Sequence, residues 1–292
     1  MRTPSPPAWL TFRRFAGVTT ALTLVLITLG VYTAATGSGL ACSQQWPLCD
    51  GGLFPSTLPS FVEWFHRLVA MITGWFILGT TAWAWLGDAD RRTRAAATLA
   101  LVVLPFQIAV GAITVTLNGA LPQGYSTPTH AAHMVFALTI FGSLVLTTLF
   151  AYDRHDSRPA LARARFSLLA ALVLLPPSVL FSRVVPAVEY SPPMQGVFYG
   201  LSLVIVAGVL AATVLLGRTA LPRLRWATGG VLGLVIVHLL LGRDLVFYTP
   251  VVHELNAAIL GAAFGLVAVT TWLAYRRGEV RDPDVSTFVR GD

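Results

Sequence analysis

Residues 129–148 read THAAHMVFALTIFGSLVLTT, an unbroken stretch with no charged side chain. A membrane-spanning α-helix needs about 20 mostly apolar residues, so this stretch reads as a transmembrane helix. It has a near twin at residues 252–271, VHELNAAILGAAFGLVAVTT. In both, histidine stands second, glycine follows at 142 or 265, and a threonine pair closes the run at 147–148 or 270–271. The similarity continues upstream. FQIAVGAITV (106–115) and VHLLLGRDLV (237–246) set Gln107 and Gly111 opposite His238 and Gly242. Such an internal repeat predicts an all-α chain of two four-helix bundles, each with room for a cofactor between facing helices. The halves are expected at 1–155 and 156–292. The second is degenerate, since it lacks the cysteines and the Glu-x-x-His turn of the first.

Composition agrees with a membrane protein. Hydrophobic residues make up 55% of 292 and charged residues 11%, with a mean hydropathy of +0.71; a soluble domain averages about 25% charged. Eight apolar segments are long enough to span: Phe15–Ala35, Val62–Trp85, Ala95–Leu117, Thr129–Tyr152, Phe166–Val185, Met194–Leu216, Trp226–Tyr248 and Val251–Tyr275. Pro176 and Pro177 interrupt the fifth, which neighbouring helices can tolerate. The first could pass for a signal peptide, but it is long enough to span and the repeat requires it, so it reads as an uncleaved helix.

Every positive side chain is arginine, and all but Arg67, Arg183 and Arg243 fall at the termini or in alternate loops. The positive-inside rule then places both termini in the cytoplasm of a multi-pass cell-membrane protein. Both halves start on the same side, which makes the repeat a parallel one. The net charge of +7 is this bias, with contact to membrane lipid as its ordinary consequence. Nothing in it points to nucleic acid.

Five of the six histidines lie at or near span ends that the topology places toward the outer leaflet: His66, His130, His133, His238 and His253. Ionisable groups within a membrane are costly and mark functional sites; the plainer reading for any single one is a structural hydrogen bond. They stand mostly singly, on separate helices, with alanine one turn on (Ala70 after His66, Ala137 after His133, Ala257 after His253). Zinc or copper sites recruit several close ligands. One imidazole per helix beside small residues suits haem iron better. Arg67, Arg183 and Arg243 lie at the same level and suit haem propionates, snorkelling to lipid headgroups being the alternative.

Before the second span runs TGSGLACSQQWPLCDGG (36–52), and EWFHR follows at 63–67. Cys42 and Cys49 are the only cysteines. In an outer loop, an oxidising compartment, they are expected to form a disulfide; a labile redox pair is the other reading. Glu63 lies one turn from His66 on the same helical face. There it could hold a water or move a proton, or simply favour a helix N-terminus.

These motifs, TGSGLAC, WPLC and E-x-x-HR in that order, resemble the haem A synthase family, more specifically in the first half than in the second. The resemblance implies oxidation of a ring methyl of haem O to a formyl, giving haem A for terminal oxidases. It implies haem O as substrate in the N-terminal bundle, held by His66 and a span-four histidine, with Glu63 as the carboxylate beside it. The repeat alignment favours His130 as that second ligand; the following alanine favours His133. It further implies haem b in the C-terminal bundle with His253 as a ligand. The family's other C-terminal histidine should open span six, where this chain reads EYSPPMQGVFYG; Met194 or His238 could substitute, or the site be lost. Partners would be an external electron donor or acceptor, and a haem O synthase or oxidase assembly proteins, with homo-oligomerisation open. A membrane cytochrome or haem carrier without catalysis is the rival reading, and Glu63 with the cysteine pair favours the enzyme.

Overall fold

Thr57 accepts the Ser60 N–H with its hydroxyl, and proline follows inside the first turn, the ordinary chemistry of a helix start. The second long helix therefore begins at Leu58, ahead of the apolar run. In the computed structural model of the chain, the described residues are 10–42, 45, 48–52, 54–116, 126–185, 188–242 and 247–279. Among them the helices are α1 (Phe12–Ala35), α2 (Leu58–Leu86), α3 (Arg91–Thr116), α4 (Thr127–Asp153), α5 (Ala160–Leu180), α6 (Pro192–Leu216), α7 (Leu224–Leu241) and α8 (Pro250–Glu279). A 3-10 turn at Ser38–Leu40 follows α1. All eight are long and apolar enough to cross a membrane, and the described residues form no strand beyond a bridge between Cys49 and Gly52. The chain is an all-α, multi-pass membrane protein.

Two spans end earlier than hydropathy suggests. α5 keeps Pro176 and Pro177 inside it but stops at Leu180, so Arg183 lies beyond the helix. α7 stops at Leu241, capped by the Gly242 N–H on the His238 carbonyl.

The chain divides into two compact units, Met1–Asp156 with Val188–Gly200, and Ser157–Ala187 with Leu201–Asp292. In the first, α1 packs on α2, α2 on α3, α3 on α4 and α4 on α1. This closed ring is a four-helix bundle in which α2 and α4 stand diagonally. Its core holds Ile77, Ala100, Ile140 and Leu144. With lipid as apolar as leucine, such helices associate through close packing and polar pairs. Threonines supply the pairs: Thr19 Oγ1 lies 2.8 Å from Thr80 Oγ1, Thr20 Oγ1 lies 2.8 Å from Thr148 Oγ1, and Thr81 donates to the Ala97 carbonyl at 3.0 Å. In the second unit α8 packs on both α5 and α7. Arg165 of α5 donates to the carbonyls of Ala274 and Tyr275, satisfying acceptors near the end of α8.

Candidate functional site

His66 comes from the third turn of α2 and His133 from the second turn of α4, so the diagonal arrangement sets them on opposite sides of the first bundle. They are within electrostatic reach of one another. Each ring is backed by a glycine of a neighbouring helix. A Cβ added to Gly30 of α1 would stand 3.0 Å from His66 Cε1, and one added to Gly111 of α3 would stand 3.0 Å from His133 Cε1. Any larger residue would press on the ring, so these glycines set its position.

His66 Nδ1 is buried with no hydrogen-bond partner among the described residues, an expensive state for an imidazole unless a ligand completes it. His133 Nε2 lies 3.1 Å from Gln107 Nε2. The amide nitrogen can only donate, so His133 Nε2 presents its lone pair there. This donor set fits a haem iron: two imidazoles, His66 with a buried nitrogen that makes no hydrogen bond among the described residues and His133 with a lone pair met by a displaceable amide donor. His130 lies one turn earlier on α4, and among the described residues no glycine backing of this kind is seen for it.

One turn nearer the loop than His66 stands Glu63, which pairs with Arg67 four residues on. Glu63 is 2% exposed. One carboxylate oxygen accepts the Cys42 N–H at 2.9 Å, and the other pairs with the Arg67 guanidinium. Arg67 also donates to the carbonyls of Gln45 and Leu48 at 2.9 and 3.0 Å. Glu63 and Arg67 therefore clamp the cysteine loop to α2. Cys42 and Cys49 are joined by a disulfide and both are fully buried. Asp50, at positive φ (53°), accepts the Ser56 N–H, the Ser56 hydroxyl and the Ser60 hydroxyl. The Ser56 N–H and hydroxyl hold the Asp50 carboxyl below its ordinary value.

The remaining candidates lie elsewhere. In the second unit His238 Nδ1 lies 2.7 Å from Asn256 Oδ1, and His253 Nε2 lies 2.9 Å from the Val184 carbonyl oxygen. The Arg183 guanidinium sits 4.3 Å from the centre of the Tyr248 ring. Arg243 falls outside the described residues. Gly30, Gln107 and Asn256 were not singled out as site residues by sequence. For Gln107 the signal was its place opposite His238 in the repeat, and for the Glu63–Arg67 clamp it was the i,i+4 spacing of opposite charges. Gly30 left none.

A family profile described as "Cytochrome oxidase assembly protein" matches residues 57–181, which carry α2 to α5 with His66 and His133. Over this segment the chain is similar to the haem A synthase family. It is 34% identical over 144 residues to a Heme A synthase of Bacillus licheniformis, covering 48% of this chain and 45% of that protein. It is 36% identical over 147 residues to one of Shouchella clausii, covering 49% and 46%. A Protoheme IX farnesyltransferase of Halobacterium salinarum is 38% identical over 129 residues, or 44% of this chain and 28% of that protein. The chain thus spans less than half the length of these relatives.

Proposed function

We propose that the chain is a haem A synthase, which binds haem O in the first bundle and oxidises one ring methyl to a formyl. The carrying observation is the pair His66 and His133, opposed across the bundle and each set against a glycine. His66 and His133 would hold the haem, while Gly30 and Gly111 leave the imidazole rings their place. Haem supplies the redox-active iron that side chains lack. Methyl oxidation removes electrons and adds an oxygen atom, so the reaction needs an external electron acceptor and an oxygen source. Glu63 and Arg67 position the disulfide loop one turn from His66, and the Glu63 carboxylate is the group best placed to take up a proton at that end.

The relatives' names support the substrate. One printed name is Heme A synthase, and another names a farnesyltransferase acting on protohaem IX. A farnesylated haem is the chemistry that such a transferase would deliver, which makes it a fitting upstream partner. Both termini lie in the cytoplasm in this reading, with the disulfide loop on the outer face of the cell membrane.

The test is expression of the full chain with a haem O supply, followed by extraction and chromatography of its haems. Haem A is expected from the native chain and none from His66→Ala. Unmodified haem O from the native chain would indicate a carrier or cytochrome instead.

A further inference from the structure

Leu58, Phe61, Phe65, Ile72 and Trp75 follow one another along α2 at helical spacing, which places them on one side of it. All five are exposed, whereas Glu63, Thr73, Ile77 and Thr80 on the other side are buried. Along the middle of a spanning helix such a stripe faces acyl chains, which are as apolar as leucine. At the loop end the stripe does not stop. Leu58, the first residue of α2, is 75% exposed, and Phe54 in the preceding loop is 79% exposed. Both lie ahead of the apolar run that starts at Val62.

The polar groups of this segment are already bonded within it. Residues 51–66 hold a single carboxylate, Glu63, and no arginine or lysine. Glu63 is buried against the Cys42 N–H and Arg67. The Asp50 carboxylate accepts from Ser56 and Ser60, the Thr57 hydroxyl donates to Ser60 Oγ, and the Gly52 N–H reaches the Cys49 carbonyl. A segment can leave water cheaply only when its polar groups are satisfied in this way. The rings above them form one cluster. Trp64 has Phe54 at 5.9 Å and Phe61 at 6.0 Å between centroids, and Phe61 stacks on Phe65 at 6.0 Å. Tryptophan, with one N–H on an apolar body, suits the level of lipid headgroups.

We infer that Phe54, Leu58, Phe61 and Phe65 form a lip that inserts into the leaflet at the disulfide-loop end of α2, with Trp64 at headgroup level. The occupant of this surface is lipid at the boundary between headgroups and acyl chains. Continuity decides it: the stripe that faces acyl chains at Ile72 and Trp75 reaches the lip with no polar residue on that side between them. His66 stands eight residues after Leu58, which at 1.5 Å per residue is about 12 Å along the helix. The histidine therefore lies beneath the lipid surface, and the loop is held at that surface rather than above it. The inference does not rest on the proposed function.

The experiment is spin-label accessibility of the full chain in phosphatidylcholine proteoliposomes. A nitroxide is attached at Phe54→Cys or Leu58→Cys; the native cysteines, buried and joined, do not compete for the label. Trp75→Cys, exposed along the span, is the lipid control, and Arg92→Cys, exposed in the first turn of α3, is the water control. At both lip positions, collision with oxygen is expected to be retained. Collision with an aqueous nickel chelate is expected to fall several-fold below the Arg92 value. Nickel collision as frequent as at Arg92 would overturn the inference by placing the lip in water. Loss of both collisions would overturn it by placing protein over the lip. If Phe54→Cys fails to fold or exchanges with the disulfide, Leu58→Cys carries the measurement with the same two overturning results.

Discussion

Gly30 and His66 are in closest-packing contact: a single added methyl at Gly30 would come within 3.0 Å of the imidazole Cε1. The relationship recurs between Gly111 and His133 at the same distance. A histidine that must meet a flat macrocycle needs its ring fixed from behind, and a neighbouring helix without a side chain does this at close range. Overpacking such a contact costs about 1–3 kcal/mol. Gly30→Ala is accordingly expected to keep the protein in the membrane, weaken haem retention and disturb the low-spin spectrum of the bound haem. Gly17→Ala is the control on the same helix, since its Cβ would meet only ordinary contacts at 4.0 Å. Equal spectra for the two variants would remove the positioning role.

The clamp separates charge from hydrogen bonding. Glu63→Ala leaves Arg67 without its carboxylate and the Cys42 N–H without its acceptor, and breaking a buried ion pair in this way costs about 3–5 kcal/mol. The figure is an upper bound here because the Arg67 side chain is 14% exposed. Glu63→Gln keeps an acceptor for Cys42 and is expected to hold the loop better. Limited proteolysis of the 42–57 segment should rank native, Gln, then Ala in order of resistance. If Glu63 only positions the loop, turnover follows the same ranking; if it also takes up a proton, Gln loses turnover while the loop stays closed.

The disulfide gives a third expectation. With both cysteines buried and joined, thiol reagents should label neither in the untreated membrane and both after reduction and unfolding. Cys42→Ser should lower stability or turnover without removing haem, because neither sulfur approaches the histidine pair through any bond seen here. Two readily labelled thiols in untreated membranes would contradict this.

Acid should loosen the same loop. Asp50 has a carboxyl held below its ordinary value of 3.8 by Ser56 and Ser60. A group whose folded pKa is depressed stabilises fully above the unfolded value, and that contribution is lost as pH falls through the folded one. Protection of the Ser56 amide from hydrogen exchange should therefore be constant above pH 5 and, after correction for the intrinsic rate, fall below pH 3.8. Asp50→Asn should flatten the dependence. An unchanged profile in that variant would assign the transition to another group.

Sequence made the spans legible because lipid permits so few solutions: a backbone in hydrocarbon must close its own hydrogen bonds, and length and apolarity then suffice. Their ends were less legible, since ends depend on single residues. Thr57 and Pro59 start α2 ahead of its apolar run, and α5 stops at Leu180 although apolar residues continue. In the candidate site, His66 and His133 stood out together with His130, His238 and His253 as ionisable groups in apolar surroundings, and the choice between His130 and His133 stayed open. Gly30 did not stand out, because a glycine inside an apolar helix carries no pattern that distinguishes a packing contact. Glu63 read as a group that could hold a water, move a proton or favour a helix N-terminus, and spacing did not show that its oxygens meet Cys42 and Arg67. A contact across 21 residues is set by the fold of the loop, which spacing along a helix does not reveal.

The last prediction follows from Gln107, whose amide donates to the nitrogen of His133 that would bind iron. Haem must displace that bond, so the bond opposes binding by roughly the net worth of a hydrogen bond, about 1 kcal/mol. Gln107→Leu has similar volume and no donor. It also removes a buried amide oxygen that has no hydrogen-bond partner among the described residues. The variant is therefore expected to bind haem about fivefold more tightly, the factor that 1 kcal/mol represents, with an unchanged ligation spectrum. Haem titration of the apo-protein in detergent, followed by absorbance, measures it. A loss of affinity would mean that Gln107 moves to a new partner once haem is present and supports the bound state. A changed spectrum with unchanged affinity would instead place the iron on His130.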